Sequence, residues 1–214
     1  MPPAGHAERT KFWYTQPKME HEEFMARPME FDRGDAVARA VDAFWECGYG
    51  ALSANELAER MKIGKSSFYN TFGSKAELLQ EAVASYTKLK TAALQHAVRG
   101  RNVMDVLRAL LRDVAKRNDD GRGCLLVNTA VELSRHDVDI ASTTRAGFEA
   151  MAKAFEALIV AGQQAGEIRT DLDAKNQARI LITSIAGLRV MVQSGFSAME
   201  MRPFIDTILA SMSI

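Results

Sequence analysis

The sequence predicts an all-α protein of about nine helices, and three observations support this prediction. Apolar residues recur every three to four positions through most of the 214-residue chain, which is the period of an amphipathic helix. Residues that commonly cap helices precede most of these repeats. No segment alternates apolar and polar residues between hairpin turns, and aromatic residues make up only 7% of the chain.

The composition is that of a globular protein outside the membrane, with 47% hydrophobic and 25% charged residues. Cys47 and Cys124 do not form a disulfide framework, so we expect a cytoplasmic protein. Met1–Thr10 is polar and does not resemble a secretory signal. The apolar run that begins at Ile180 ends at Arg189, which is too short to span a bilayer.

Residues 1–32 are predicted to be a flexible N-terminal extension. The first 24 residues mix both signs of charge and have no helical apolar stripe, and Phe12-Trp13-Tyr14 is their one apolar cluster. Two interpretations stay open. The segment is either a mobile tail, upstream of a start at Met25, or an arm that reaches DNA or a partner.

A first helix is predicted from Arg33 to a stop at Gly48. Four apolar residues repeat along it with helical spacing, at Val37, Val41, Phe44 and Trp45. This helix is expected to cover the two short helices that follow it, giving a three-helix unit.

Residues 52–79 have the pattern of two short helices around a tight turn. Ser53 and Glu56 form a capping box that starts a helix from Ala54 to about Arg60. A second helix runs from Lys65 to about Asn70, with the pair Phe68 and Phe72 as its buried edge. This is the pattern of a helix-turn-helix, whose second helix can enter a DNA major groove.

The rest of the chain also has a helical pattern. Ser74 and Glu77 form a second predicted capping box, and a long helix follows with an apolar face that includes Leu89. Further helices are predicted after caps at Asn102, Asp137 and Asp173 and from Cys124 to about Ser134, with a loop at 118–123. The last helix is ambiguous, because after a cap at Ser197 it either restarts at Pro203 or kinks there.

The predicted helix-turn-helix is not basic as a whole, but its second half is. The complete chain has 27 basic and 27 acidic residues. Between Arg60 and Lys75, however, there are four basic residues and no acidic one, together with several hydroxyl and amide side chains. Such side chains on a short helix suit phosphate contacts and hydrogen bonds in a groove.

A family resemblance rests on residues between about Asp32 and Leu79. The residues that carry it are Arg39-Ala40-Val41-Asp42-Ala43-Phe44, Gly48-Tyr49, Ser53, Leu57-Ala58, Ile63-Gly64-Lys65-Ser66-Ser67-Phe68-Tyr69, Phe72-Gly73-Ser74-Lys75 and Leu78-Leu79. In type and spacing they resemble the TetR/AcrR family of bacterial repressors. The sequence GCLLVN at Gly123 to Asn128 resembles a segment found in part of this family.

The resemblance implies which residues contact DNA. The recognition helix would present six of them, Lys65, Ser66, Ser67, Tyr69, Asn70 and Thr71. By the same resemblance, Tyr69 and Lys75 would hold phosphates and Ser53 would add a contact to the DNA backbone. Phe68 and Phe72 would belong to the core.

The turn between the two short helices departs from the family pattern. Members usually have glycine where this chain has Lys62, and a polar cap where it has Gly64. If Lys62 adopts the left-handed region, the cost is on the order of 1 kcal/mol. Alternatively the turn is reshaped, with Gly64 as the N-cap.

Cys124 is the residue of most interest outside the predicted DNA-binding unit. It is either a small buried core residue or a reactive or ligand-contacting thiol beside a pocket, since a helix is predicted to begin there. Asn128 follows it at helical spacing. Together with Leu107 and Phe148, these residues are our predicted ligand or sensor residues.

The predicted domains are residues 33–79, a helix-turn-helix DNA-binding domain, and residues 80–214, a ligand-binding and dimerisation domain. The function predicted is that of a homodimeric repressor that binds a palindromic double-stranded operator and is released by a small-molecule inducer. The helices near 173–194 and 197–213 are the predicted dimer contact. The alternative is a small-molecule or thiol sensor that acts through Cys124 without specific DNA binding.

No enzymatic activity, cofactor, metal or membrane partner is predicted. Gly64-Lys65-Ser66 resembles the end of a phosphate-binding loop, but the earlier glycine is replaced by Glu59 and no strand precedes it. The four histidines are too scattered for a metal site, and Cys124 has no recognisable catalytic partner.

Overall fold

Nine α-helices make up the part of the chain that the structure, a computed structural model, describes, namely residues 31–116 and 121–214. In chain order they are α1 (Arg33–Cys47), α2 (Ala54–Met61), α3 (Lys65–Phe72), α4 (Lys75–Ala97), α5 (Val103–Ala115), α6 (Leu125–Leu133), α7 (Val138–Gln164), α8 (Ala174–Gln193) and α9 (Ala198–Met212). The all-α prediction is confirmed. The predictions for residues 1–30, and those for residues 117–120 of the loop at 118–123, lie outside the described residues.

Side chains cap the helices at most of the predicted positions. The side-chain oxygens of Ser53, Asn102, Asp137 and Asp173 each accept a backbone N–H from the first turn of the helix that follows. At Ser53 the box is complete, because the Glu56 carboxylate also accepts the Ser53 N–H at 2.7 Å. The starts of these helices are therefore determined by their capping side chains, as the sequence predicts.

The second predicted capping box is only half formed. Ser74 Oγ accepts the Glu77 N–H at 3.1 Å, as expected. The Ser74 N–H, however, donates to the Phe72 carbonyl at 2.8 Å and not to the Glu77 carboxylate. The tight turn at Gly73, whose φ is +70°, brings that carbonyl within reach.

Two other expectations are corrected, and one open alternative is decided. Helix α3 extends two residues past Asn70. Of the two possibilities for the last helix, a restart at Pro203 is excluded, because α9 begins after the complete Ser197–Glu200 capping box and continues through Pro203. Leu89 is 66% exposed, since the buried face of α4 follows Leu79, Val83, Tyr86 and Thr87 instead.

Two hydrophobic cores hold the helices together. One consists mainly of α1–α3 and the first half of α4, and it also includes three residues from later helices, Leu125, Leu126 and Ile140. The other consists of α5, α7, α8 and α9 with the end of α4. Helix α4 contributes to both cores, and α6 packs into the first core. The N-terminal three-helix unit is thus supported directly by the rest of the chain.

Phe31 packs against the first core and Asp32 caps α1, whereas the sequence prediction places both residues in the extension. Asp32 is the N-cap of α1, and its Oδ1 accepts the Asp35 N–H at 2.8 Å. The Phe31 ring lies 6.5 Å from the Phe72 ring. No helix in residues 31–116 and 121–214 is long and apolar enough to cross a membrane.

Candidate nucleic-acid interface and ligand cavity

Helix α3 presents one polar face to solvent and one aromatic face to the core. Its six predicted DNA contacts include four exposed residues and two half-buried ones, respectively Lys65, Ser66, Tyr69 and Asn70, and Ser67 and Thr71. On the opposite face Phe68 and Phe72 are buried, with their rings 6.1 Å apart. The buried pair fixes the rotation of α3 and so determines which side chains point outward.

The turn before α3 combines the two arrangements that the sequence left open. Lys62 lies in the left-handed region with φ 58° and ψ 43°, and Gly64 is the N-cap of α3. The Ile63 N–H donates to the Ala58 carbonyl at 3.0 Å, which is the bond of a Schellman motif at the end of α2. This motif requires the left-handed conformation, and the chain adopts it without glycine.

Only part of the predicted basic patch is available at the surface. Arg60 forms an ion pair with Glu46 at 2.6 Å. The Lys75 ammonium donates to the carbonyls of Tyr49 and Leu52, at 3.1 and 2.7 Å, and lies 3.8 Å from the Tyr49 ring centroid. Arg60 is exposed but paired, Lys75 is half-buried, and Lys62 and Lys65 are exposed beside the polar face.

The remaining predicted DNA contacts have structural roles as well. Ser53 is exposed, and its hydroxyl oxygen accepts the Glu56 N–H as the cap of α2. This leaves the hydroxyl hydrogen of Ser53 as a possible donor. Lys75 joins the loop between α1 and α2 to the start of α4 through its two carbonyl contacts, and two of its three N–H groups are used there.

A cavity of about 760 Å³ lies among α4, α5, α6, α7 and α8. Most of its lining is apolar, as is typical of sites for small organic molecules. Polar groups reach it from α4 and from the N-cap of α6, where the Tyr86 hydroxyl donates to Cys124 Sγ at 3.8 Å. Burial raises the pKa of the Tyr86 phenol far above its usual range, and the neighbouring Cys124 thiol adds to this shift.

Two of the four predicted ligand residues line this cavity and two do not. Cys124 and Phe148 are part of the lining. Leu107 is instead fully buried in the second core, and other residues of α5, among them Val106 and Leu110, face the cavity. Asn128 Nδ2 donates to the Arg122 carbonyl at 2.9 Å, so its amide holds the loop before α6.

The cavity wall touches the N-terminal helices through Trp45 of α1. The Trp45 ring lies edge-on to Tyr86, with the centroids 5.2 Å apart, and its indole N–H donates to the Gly123 carbonyl at 3.2 Å. The Arg122 guanidinium lies 4.3 Å from the Trp45 ring centroid. Tyr86, which lines the cavity, therefore contacts α1 directly, and Cys124, which also lines it, follows a residue that is hydrogen-bonded to α1.

Glu132 of α6 makes a second connection, which sequence reasoning missed. Its carboxylate accepts the backbone N–H groups of Tyr49 and Gly50, at 3.2 and 2.7 Å. Burial raises the pKa of the Tyr49 phenol, and the charges of Asp137 and Glu132 act in the same direction. No local pattern marks Glu132, because its partners lie more than eighty residues away in the chain.

The described side chains do not suggest a metal centre. Within residues 31–116 and 121–214, no three His, Cys, Asp or Glu side chains are grouped closely enough to hold a metal ion. Cys47 and Cys124 are both half-buried free thiols.

Comparisons with known proteins agree with this arrangement. The model of the family "Bacterial regulatory proteins, tetR family" matches residues 36–82, and that of "Tetracyclin repressor-like, C-terminal domain" matches residues 101–205. The HTH-type transcriptional repressor DhaR of Mycobacterium sp. (strain GP1) is 30% identical over 169 residues, which are 75% of this chain and 83% of that protein. YezE of Bacillus subtilis (strain 168), an uncharacterized HTH-type transcriptional regulator, is 29% identical over 76% of this chain and 89% of its own.

A solved structure extends the similarity to the whole fold. A cysteine-substituted variant of the TetR family transcriptional regulator CifR, complexed with 26 bp double-strand operator DNA, is 26% identical with a TM-score of 0.72. The match covers 87% of this chain and 99% of that one. The two family models, the helix-turn-helix geometry of α2 and α3 and these relatives lead to one assignment. The chain belongs to the TetR family of bacterial transcriptional regulators, a non-enzymatic family.

Proposed function

We propose that this regulator is a homodimeric repressor that binds a palindromic operator through α3 and is released when a small molecule fills the cavity. The observation that carries the proposal is the exposed polar face of α3, held outward by the buried Phe68 and Phe72. The description of DhaR as a repressor, and the operator complex of CifR, support the same function.

In this proposal the side chains of α3 divide into two groups. Lys65 and Tyr69 contact phosphates and position the helix, because an ammonium and a phenol suit phosphate oxygens. Ser66, Ser67, Asn70 and Thr71 form hydrogen bonds with base edges in the major groove, because hydroxyl and amide groups can both donate to and accept from them. Ser53 and Lys75 add contacts to the DNA backbone from the two flanking helices.

The ligand response is proposed from the position of the cavity. Its wall includes Tyr86, which contacts Trp45 of α1, and Cys124, the N-cap of α6, which is hydrogen-bonded to Tyr86. A ligand that binds better to a conformation unable to hold DNA shifts the population toward that conformation. Movement of α6 would reach the three-helix unit through Trp45 and through the Glu132 carboxylate.

A homodimer is proposed from the apolar surface of α8 and α9. Six apolar side chains on these helices or between them are exposed, namely Ile180, Val190, Met191, Phe196, Met199 and Phe204. Exposed apolar side chains that form a patch are typical of protein–protein contacts. Two-fold symmetry would place one α3 in each half of a palindrome, and the regulator would act in the cytoplasm with its DNA.

The test is DNA binding measured by fluorescence anisotropy, with the DNA upstream of the regulator's own gene and a scrambled duplex, at several salt concentrations. We expect tight binding to the first duplex only, weakened by about 1–3 kcal/mol in each of Lys65→Ala and Tyr69→Ala. The salt dependence should also become shallower in Lys65→Ala. The matched control is Lys153→Ala, which removes an exposed lysine of α7 and should change neither property.

The alternative, a sensor that acts through Cys124 without specific DNA binding, gives the opposite result. It predicts equally weak binding to both duplexes, indifferent to Lys65→Ala and Tyr69→Ala. That outcome would refute the repressor proposal. If binding is specific but is lost on oxidation only when Cys124 is present, as tested with Cys124→Ser, the repressor proposal stands and its signal is a thiol reaction.

A further inference from the structure

The lining of the cavity has a strong excess of positive charge. Five basic side chains and a single acidic one, Asp113, contribute to it, whereas the complete chain has equal numbers of basic and acidic residues. The basic residues come from α4, from α5 and the residues next to it, and from α8: Lys90, Arg101, Arg112, Lys116 and Arg189. The cavity is thus positive within a chain that has no net charge.

The charges are arranged in two layers. Arg101, Arg112 and Lys116 are exposed and lie at the rim. Lys90 and Arg189 are half-buried and lie further in. The Lys90 ammonium is 5.3 Å from the Tyr86 ring centroid, and the Arg189 guanidinium is close enough to the Tyr86 phenol to oppose the rise in its pKa.

The remaining wall is apolar and favours a ligand with a hydrophobic body. This apolar wall includes Leu94, Phe148, Phe155 and Ile182. The volume of the cavity, about 760 Å³, is within the range of pockets for small organic ligands. A cationic ligand would be repelled by the lining. A neutral ligand would gain nothing from two partly desolvated cations, whose interaction with an anion is stronger than in water.

We propose that the cavity binds an organic anion, a single carboxylate or sulfonate on an apolar body, with the anionic group beside Lys90 and Arg189. This inference rests on the proposed function, because it takes the cavity as the effector site. Lys90 and Arg189 each have other interactions as well, so the proposal depends on the charge of the whole lining and not on either residue being unpaired.

Two fluorescent probes test the charge preference directly. 1-Anilinonaphthalene-8-sulfonate and N-phenyl-1-naphthylamine share one aromatic body, and only the first has an anionic group. The dissociation constant of each is measured on the purified full chain without DNA. We expect the sulfonate to bind at least about tenfold more tightly, the lower end of the contribution of a charge-assisted hydrogen bond. Equal affinities for the two probes would overturn the proposal.

Three variants locate the preference. Lys90→Gln and Arg189→Gln should each reduce sulfonate affinity about tenfold and leave the neutral probe unchanged, while Lys153→Gln on the outer surface of α7 should change neither. Thermal unfolding identifies any variant that has lost its fold, and the comparison of the two probes on the unsubstituted protein needs no variant. A preference that persists in both pocket variants would place the anion elsewhere and refute the assignment.

Competition distinguishes the two sources of such an anion. Decanoate and naphthalene-2-carboxylate are each added to the sulfonate complex, and each acid is compared with its corresponding alcohol in a separate titration. Displacement by one acid and not by its alcohol supports an aliphatic or an aromatic acid respectively, and equal displacement by acid and alcohol overturns the charge argument. Because these measurements contain no DNA, their failure leaves the DNA-binding test of the proposed function unaffected, and a failure of that test leaves them unaffected.

Discussion

Lys62 occupies a backbone conformation that glycine adopts at much lower cost. Its φ of 58° makes it the single non-glycine residue with positive φ among residues 31–116 and 121–214. The left-handed region costs a residue with a side chain roughly 1–2 kcal/mol. Two hydrogen bonds offset this cost, because the Lys62 N–H and the Ile63 N–H donate to carbonyls at the end of α2. The ammonium beside α3 is then retained as an exposed charge.

Lys62→Gly should therefore stabilise the folded protein. We expect the free energy of unfolding to rise by about 0.5–1 kcal/mol, since the relief of backbone strain exceeds the extra entropy of glycine in the unfolded chain. The measurement is the midpoint of urea denaturation. Lys62→Ala is the control, because it removes the same charge and keeps a Cβ, and it should give no gain. Equal stabilisation by both substitutions would mean that charge and not strain is responsible.

Single residues also mark the limit of prediction from sequence. The Ser53–Glu56 box was predictable because all of its atoms belong to four consecutive residues. The similar Ser74–Glu77 pair is half formed because a carbonyl of the preceding turn takes the donor. Leu107 is predicted to contact a ligand because the spacing of apolar residues identifies one face of α5. The spacing does not show which part of a wide apolar face packs in the core and which part lines a cavity.

Among the elements, α6 is the shortest helix of the C-terminal part, and it contacts both the cavity and the N-terminal helices. Its N-cap, Cys124, lines the cavity, and its Glu132 carboxylate holds the loop between α1 and α2. Its bounds were predictable from nine apolar-rich residues after a loop. Its partners were not, because they are set by packing across long chain separations, which no local pattern encodes.

Glu132→Gln should loosen the loop between α1 and α2. An amide has one acceptor oxygen and no charge, so one of the two N–H groups loses its partner. We expect a loss of about 1 kcal/mol in the free energy of unfolding and faster hydrogen exchange at the Tyr49 and Gly50 amides. Exchange is followed by NMR or mass spectrometry.

Glu149→Gln is the matched control for this prediction. Glu149 is an exposed carboxylate of α7 that pairs with Arg145 on the surface, and such pairs contribute little to stability. It should change neither the unfolding midpoint nor exchange at the two amides. Unchanged exchange at Tyr49 and Gly50 in Glu132→Gln would show that the carboxylate does not hold the loop in solution.

At the scale of the whole molecule, one face of α8 has two exposed apolar side chains with a glycine between them. Ile180, Gly187 and Met191 lie at helical spacing on one face, and Ile180 and Met191 are both exposed. A Cβ added at Gly187 meets nothing within 4 Å in the single subunit. Glycine inside a helix costs about 1 kcal/mol relative to alanine, a cost that close approach of a second helix would offset.

Gly187→Glu should separate the proposed dimer without harming the subunit. Inside the subunit the new side chain has open space and a better helix propensity, so thermal stability of the fold should be kept or slightly raised. In a dimer it would bury two unpaired carboxylates at the centre of the contact, which costs several kcal/mol. Light scattering after gel filtration should give the mass of one chain for Gly187→Glu and of two for the unsubstituted protein. A dimeric Gly187→Glu with unchanged operator affinity would place the dimer contact on another face.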